Sequence, residues 1–488
     1  MTQPSSTTDL LDSSEAGGAA IRGGAIRIVG FVIGVTASIG SAAILFRHLG
    51  VVDSGHYVTI VSLATLAAGI TDAGLSSVGV RELSTRTAAE GRRLFSNLFG
   101  IRLALSACGV LVALCFALAG YSSTLVLGTL IAGAAVLFQT AQDTFAIPLL
   151  ARLRLGWVTS VDVLRQLVTA LAIVVLALLG APLLPFWTAA VLGGAAATIA
   201  AAVLVRRSMP LLPAFDRAVW RPLLKDTAPY ALATAVGAIY YRLAILIMSL
   251  VSSGRQVGYF GASYRVVDVL IVVPQLLAGA SFPILARSAR DDSERFDYAT
   301  GRMLDVSFLL GLTAFLGLLT GASFIVSVIA GPKYAAAAGV LQIQGVALIG
   351  SFLAAVSGYA LLGMHRYRAT LSINLLVLAL SGVLTGLLAA SDGATGAAAA
   401  VAIVELIYAG LLGWAVWHSG ARPRVTISII PRGLLAAGLG ALALVPSGLP
   451  NVVRPLLALF VYGVALVVMR AVPQEIIEQL GVLRRRRA

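Results

Sequence analysis

Apolar stretches of about 20 residues recur along the whole chain, and this recurrence restricts its possible folds more than any other feature. A helix of that length spans the roughly 30 Å hydrocarbon core of a bilayer. Inside lipid the backbone N–H and C=O groups find no water, so a spanning segment must be a helix or part of a closed barrel. Barrel strands need only about 9–11 residues, so stretches of this length select the helix. No gap between the stretches is long enough for a soluble domain. Only 11% of the 488 residues are charged and 59% are hydrophobic, where soluble domains carry about 25% charged residues. The expectation is an all-α polytopic membrane protein.

Fourteen spans can be placed. Residues 1–24 are polar and Ser/Thr/Gly-rich, and are expected to be a disordered cytoplasmic tail. They lack a basic start followed by a short apolar core, so no removable signal peptide is expected. Spans 1–6 occupy 25–205 as a first lobe, and 206–227 form a cytoplasmic linker. Spans 7–12 occupy 228–417 as a second lobe, spans 13–14 lie within 429–472, and 473–488 are a basic cytoplasmic tail. The basic residues test the count. Even-numbered loops hold Arg81, Arg86, Arg92, Arg93, Arg152, Arg154, Arg206 and Arg207, and later Arg287, Arg290, Arg366 and Arg368. Odd-numbered loops hold only Arg47, Arg255, Lys333 and Arg454. Positive charge marks cytoplasmic loops, so both termini are expected in the cytoplasm. The same pattern accounts for the net charge of +14 without any nucleic acid as partner. Cys108 and Cys115 lie in one apolar segment and are expected to be packing residues, with no metal or disulfide role.

The chain also repeats itself. "DSGHYVTIVSL" from Asp53 parallels "QVGYFGASYRV" from Gln256, and "ARLRLGW" from Ala151 parallels "HRYRATL" from His365. The offset of roughly 200–215 residues covers about six spans. Six is even, so the two copies share one orientation and form parallel repeats, with spans 13 and 14 left over. Transporters are built from such repeats, with substrate sites near the bilayer midplane.

The segment Phe46–Leu83 carries an Arg-x-Leu-Gly turn (Arg47, Leu49, Gly50), a Gly-x-Tyr helix start (Gly55, Tyr57), Asp72/Gly74/Leu75 and an Arg81-Glu82 exit. It resembles the opening of the polysaccharide-exporter, or oligosaccharide flippase, family. "YYRLAILIMSLVSSGRQVGYFGASYRVVDVL", "FPILARSAR", "GPKYAAAAGVLQI" and "LLGMHRYRATLSI" fit the same family. The likeness covers most of 25–420. It is similar to Wzx-type O-antigen flippases and more distantly to MurJ, within the MOP superfamily that also holds MATE exporters. The resemblance implies a flippase that moves an undecaprenyl-diphosphate-linked oligosaccharide across the bacterial plasma membrane by alternating access. Membrane lipids, a polysaccharide polymerase and glycosyltransferases are the expected partners. One departure stands out: where the family often has an acid two residues after the span 7 arginine, this chain has Ala244.

Three charges then fall at one depth. Spans 7 and 8 are joined near Gly254, and Arg242, Arg265 and Asp268 each lie roughly 15–20 Å from that point along their helices. A charge at mid-membrane costs at least about 2.5–3.5 kcal/mol, so it needs a role or a partner. Two guanidiniums against one carboxylate suit a pyrophosphate, which guanidinium grips in bidentate fashion. The same residues also allow a structural Arg242–Asp268 pair. Arg27 is a further pyrophosphate candidate, and Tyr241 and Tyr264, with Tyr240 and Tyr259, are candidates for stacking sugars. Glu405 in span 12 and Asp143 in span 4 are candidates for coupling or charge pairing. No Walker motif, HExxH, Cys/His cluster or nucleophile elbow is present, so neither catalytic residues nor cofactor nor metal is expected. The driving energy is then expected from the membrane potential, an ion gradient or the substrate gradient. A MATE-like exporter of small molecules, a membrane-embedded glycosyltransferase and a scaffold of polysaccharide assembly remain as alternatives.

Overall fold

A computed structural model describes residues 16–72, 75–152, 154–444 and 450–472. Among these the chain is all helix and loop, with no strand. Among the described residues nine helices are long and apolar enough to cross a membrane. Two of the nine are bent into two crossings each, and three shorter apolar helices, Ala235–Val251, Ile429–Leu444 and Val453–Val468, complete the expected fourteen.

The two bends occur at glycines. Helix α1 (Ala16–Asp72) turns at Gly50, with φ 74° and ψ −177°. A side chain rarely adopts that backbone geometry, whereas glycine enters it freely. The bend takes the Gly50 carbonyl out of the helical ladder, and the buried Tyr334 phenol donates to it at 2.7 Å. Helix α1 begins earlier than the expected residue 25, because the helix runs on through the Ala-containing stretch before the first span.

By its contacts the chain resolves into two compact units. One runs to His48 and continues through Ile60–Ala238; the other takes Leu49–Thr59 and everything from Ile239. The first contains α2 (Leu75–Thr85), α3 (Ala88–Gly120), α4 (Ser123–Ala151), α5 (Leu155–Leu178) and α6 (Phe186–Val205), followed by the start of α7 (Arg217–Val251). Phe95 and Phe99 of α3 pack on Phe145 and Leu149 of α4 and on Ala197 and Ala201 of α6. The expected linker is only partly irregular. Its residue Asp216 receives the Ala218 N–H at the start of α7 and ion-pairs with Arg93 at 2.6 Å, while Asn97 accepts the Asp216 N–H at 2.8 Å. Cys108 and Cys115 are exposed free thiols on α3, not packing residues: they fall on the outward side of a helix whose other side meets α4.

The second unit holds α8 (Gly254–Leu270), α9 (Val272–Asp291), α10 (Ser293–Ile329), α11 (Ala337–Gly363), α12 (Tyr367–His418), α13 (Ile429–Ala441) and α14 (Val453–Val468). Span 8 is therefore two helices. Pro274 explains the break: its ring excludes the carbonyl of residue 270 and it has no N–H to bond there, and α8 ends at that residue. Helix α12 bends at Gly393 (φ 58°) and so supplies both spans 11 and 12. Helix α11 lies at the centre and packs on α8, α9, α10 and α12. Its sequence, rich in Ala, Gly and Ser, lets neighbours approach closely, which is how helices associate where lipid removes the hydrophobic drive. Helices α13 and α14 pack on Leu309, Leu312 and Leu316 of α10, and the Tyr462 phenol donates to the Leu309 carbonyl at 2.9 Å.

Candidate functional site

The α7–α8 hairpin is tight, with only Ser252 and Ser253 between its helices, and it sets the register of the charges. Tyr240, Tyr241 and Arg242 are consecutive, so at about 100° per residue they leave α7 in different directions. Tyr241 and Arg242 reach α8. The Tyr241 phenol donates to Asp268 Oδ1 at 2.8 Å, and both terminal nitrogens of Arg242 donate to Oδ2, at 3.4 and 3.3 Å. The side chains of the ion pair are 14% and 15% exposed. The Tyr264 phenol donates to the Tyr241 carbonyl at 2.8 Å, and the Arg242 guanidinium sits 5.1 Å from the Tyr241 ring centre and 5.7 Å from that of Tyr264. That is cation–π distance. Both aromatic rings and the carboxylate thus fix one guanidinium.

The arginine is held without being saturated. A guanidinium has five N–H donors; here the two terminal nitrogens share one carboxylate oxygen through long bonds. Nε is buried with no hydrogen-bond partner in the protein. Charge-assisted N–H···O bonds are usually about 2.7–2.9 Å, so this pair orients the arginine and leaves donor capacity over.

Tyr240 turns the other way, to α12. Its phenol donates to Glu405 Oε1 at 2.6 Å, and Ser351 of α11 donates to Oε2 at 2.9 Å. Glu405 is buried, so a carboxylate that looks isolated among apolar neighbours in sequence has a donor on each oxygen. Gly350 makes this possible. A Cβ there would lie 2.6 Å from the Glu405 backbone, so only glycine lets α11 come close enough for Ser351 to reach. Tyr408, one turn after Glu405, packs at 5.8 Å from the Tyr240 ring and donates to Asn374 at 2.9 Å. Ser351, Tyr408 and Asn374 were not legible as members of this cluster; their only signal is polarity inside an apolar span.

Arg265 is half-buried on α8, one turn before Asp268, within electrostatic range of Tyr57 from the segment Leu49–Thr59. Asp143 lies in the other unit, half-buried on α4, next to Gln142, whose amide donates to Asp162 at 2.8 Å. The side chain of Arg27 lies outside the described residues. Among the described residues no three His, Cys, Asp or Glu side chains converge as a metal-ligand set.

Apolar helices in this number, two of them bent at a glycine, make this a multi-pass membrane protein, and its fold is that of the MOP transporters of known structure. The lipid II flippase MurJ in an inward closed conformation has a TM-score of 0.75 at 13% identity, over 91% of this chain and 98% of that one. An inward-facing multidrug resistance MATE family transporter of the MOP superfamily has a TM-score of 0.65 at 13% identity, over 81% and 98%. A MOP superfamily transporter from Pyrococcus furiosus has a TM-score of 0.55 at 15% identity, over 87% and 100%. Identities this low speak for the fold alone. Residues 44–339 match the family of polysaccharide biosynthesis proteins, more than half of the sequence, and the chain belongs to that family. No curated protein matches its sequence.

Proposed function

We propose that the protein flips an undecaprenyl-diphosphate-linked oligosaccharide, a precursor of surface polysaccharide, across the bacterial plasma membrane by alternating access. The reading includes cytoplasmic termini, no covalent chemistry, and delivery to a polysaccharide polymerase of material made by glycosyltransferases. Membership of the polysaccharide biosynthesis family and the MOP fold support transport of such a substrate. The observation that carries the diphosphate is Arg242. Its guanidinium is fixed by Asp268, Tyr241 and Tyr264, yet it keeps unused donors, including a buried Nε. A guanidinium oriented in advance loses little on gripping a phosphate oxygen pair. Tyr241, half-buried, supplies an aromatic ring beside it for a sugar, Tyr264 is buried and stacked on Phe260, and Arg265, one turn before Asp268 on α8, supplies a second positive charge.

The test is flipping of a fluorescent lipid-linked oligosaccharide in proteoliposomes. Arg242→Gln and Arg265→Gln are each expected to slow flipping at least tenfold while the protein stays monodisperse and helical. Unchanged flipping by both folded variants would sink the diphosphate assignment. A second reading, export of a small cation, is favoured by the buried Glu405 and by the fold shared with MATE transporters. It predicts uptake of a cationic dye into inverted vesicles that is lost in Glu405→Gln and retained in Arg242→Gln.

A further inference from the structure

We propose that the corner between α9 and α10 is a binding site for the phosphate headgroup of an anionic membrane phospholipid. It is separate from the cluster around Arg242 and independent of the flipping proposal.

Apart from Gln275 and Arg290, the exposed residues of α9 lie on one face. Val273, Leu276, Ala280, Pro283 and Ile284 fall within about 100° of the helix circumference, and Arg287 and Asp291 continue the same strip. Five apolar positions therefore give way, along one helix face, to charged ones. That change marks where acyl chains end and headgroups begin. The first and last apolar members are 11 residues apart, roughly 16 Å of helix, which is about one leaflet of hydrocarbon.

At that boundary lies a cavity of about 440 Å³, lined by Ile284, Arg287, Ser288, Asp291, Asp292 and Arg295 with Pro283 at its edge. Small-molecule sites begin at about 300 Å³. The two acids are already engaged. Asp291 is held through both oxygens by Arg290, at 2.7 and 3.1 Å, and Asp292 caps α10 by accepting the Arg295 N–H at 3.0 Å. The Ser288 hydroxyl is turned back to the Ile284 carbonyl at 2.8 Å. The guanidiniums of Arg287 and Arg295 make no hydrogen bond or ion pair among the described residues, and both are exposed. Arg287 also lies within electrostatic range of Asp291, and three guanidiniums (Arg287, Arg290, Arg295) against two carboxylates (Asp291, Asp292) leave a single positive charge, which one phosphodiester neutralises. Arginine forks match phosphate oxygens in pairs. The apolar strip running into the cavity argues for a lipid over a soluble phosphate, since acyl chains would cover the surface the helix exposes. A zwitterionic headgroup would leave that charge unmatched.

Native mass spectrometry of the full chain, titrated in neutral detergent with dioleoyl phosphatidylglycerol or dioleoyl phosphatidylcholine, tests this. The wild type is expected to retain phosphatidylglycerol preferentially. A basic residue at the membrane surface is worth about 1 kcal/mol toward anionic lipid, or about fivefold, so R287Q and R295Q should each weaken the preference about fivefold. The double variant should lose more than tenfold. Arg368→Gln removes an equal exposed charge at the start of α12, outside the cavity, and should weaken the preference clearly less than either cavity variant. Equal loss in R368Q would show general surface charge and overturn the site, as would full retention in the double variant. Displacement of phosphatidylglycerol by inorganic phosphate would overturn the lipid assignment. All three arginines are exposed, so melting temperatures measured in phosphatidylcholine are expected to match and to separate lipid binding from misfolding.

Discussion

Replacing Asp268 by Asn keeps the size of the side chain and removes its charge. The amide oxygen still accepts from the Tyr241 phenol, but Arg242 loses its acid. Breaking one side of a fully buried ion pair costs about 3–5 kcal/mol. Here the two side chains keep 14% and 15% of their exposure and the shortest contact is 3.3 Å, so the expected loss is lower, about 2–3 kcal/mol. Asp268→Ala also strands the Tyr241 phenol, which adds about 1 kcal/mol. Arg242→Gln alone leaves Asp268 as a buried carboxylate with one phenol donor, again at about 2 kcal/mol. If the pair acts as a unit, the double variant Asp268→Asn/Arg242→Gln costs less than the two single losses together, with a coupling of about 1–2 kcal/mol. Equilibrium unfolding in mixed micelles, followed by circular dichroism, measures all four corners of the cycle. Additivity within about 0.5 kcal/mol, or equal losses for the Asn and Ala variants, would refute the reasoning: the charge pair would then carry no energy, or the Tyr241 bond none.

Four further outcomes follow from the same geometry. Glu405→Gln preserves an acceptor for Tyr240 and a partner for Ser351 and should cost under about 1 kcal/mol, while Glu405→Leu strands both hydroxyls and should cost about 2–4 kcal/mol by the same unfolding measurement. Gly50→Ala meets no atom within 4 Å, so its cost of about 1–3 kcal/mol isolates backbone strain at φ 74°; a neutral result would mean that the bend relaxes. Gly350→Val drives a side chain into the Glu405 backbone and should cost about 1–3 kcal/mol, and measurably more than Gly339→Val, where the space is open. The Arg93 guanidinium holds the Asp216 carboxyl below its ordinary value of 3.8. A depressed folded-state pKa stabilises the tie between linker and α3 above the ordinary value, and that contribution is lost as pH falls through the folded-state value. Limited acid proteolysis of 206–216 should therefore accelerate below about pH 4, and Asp216→Asn should abolish the pH dependence.

The number of spans was legible in the sequence because lipid makes it a local property. Each apolar segment must satisfy its own backbone, so its length and composition alone declare it a helix. The common depth of Arg242 and Asp268 was legible for a related reason: a two-residue turn makes α7 and α8 antiparallel neighbours, and counting from Ser252 and Ser253 fixes the register. Whether the two residues pair was another matter, since residue spacing gives depth and leaves the facing direction open. The partners of Glu405 were further from reach. Tyr240 lies 165 positions away and Ser351 54, on helices whose contact depends on α11 closing over Gly350. The linker expected over 206–227 read as a cytoplasmic connection, yet Asn97 and Arg93 bind its residue Asp216 to α3. The sequence by itself determined how many apolar spans there are and at what depth their charges lie, through hydrogen bonding confined to each segment. Only the tertiary structure decided which charges and hydroxyls meet, because helix faces are chosen by packing between segments, where small residues allow approach and no periodic signal records the partner.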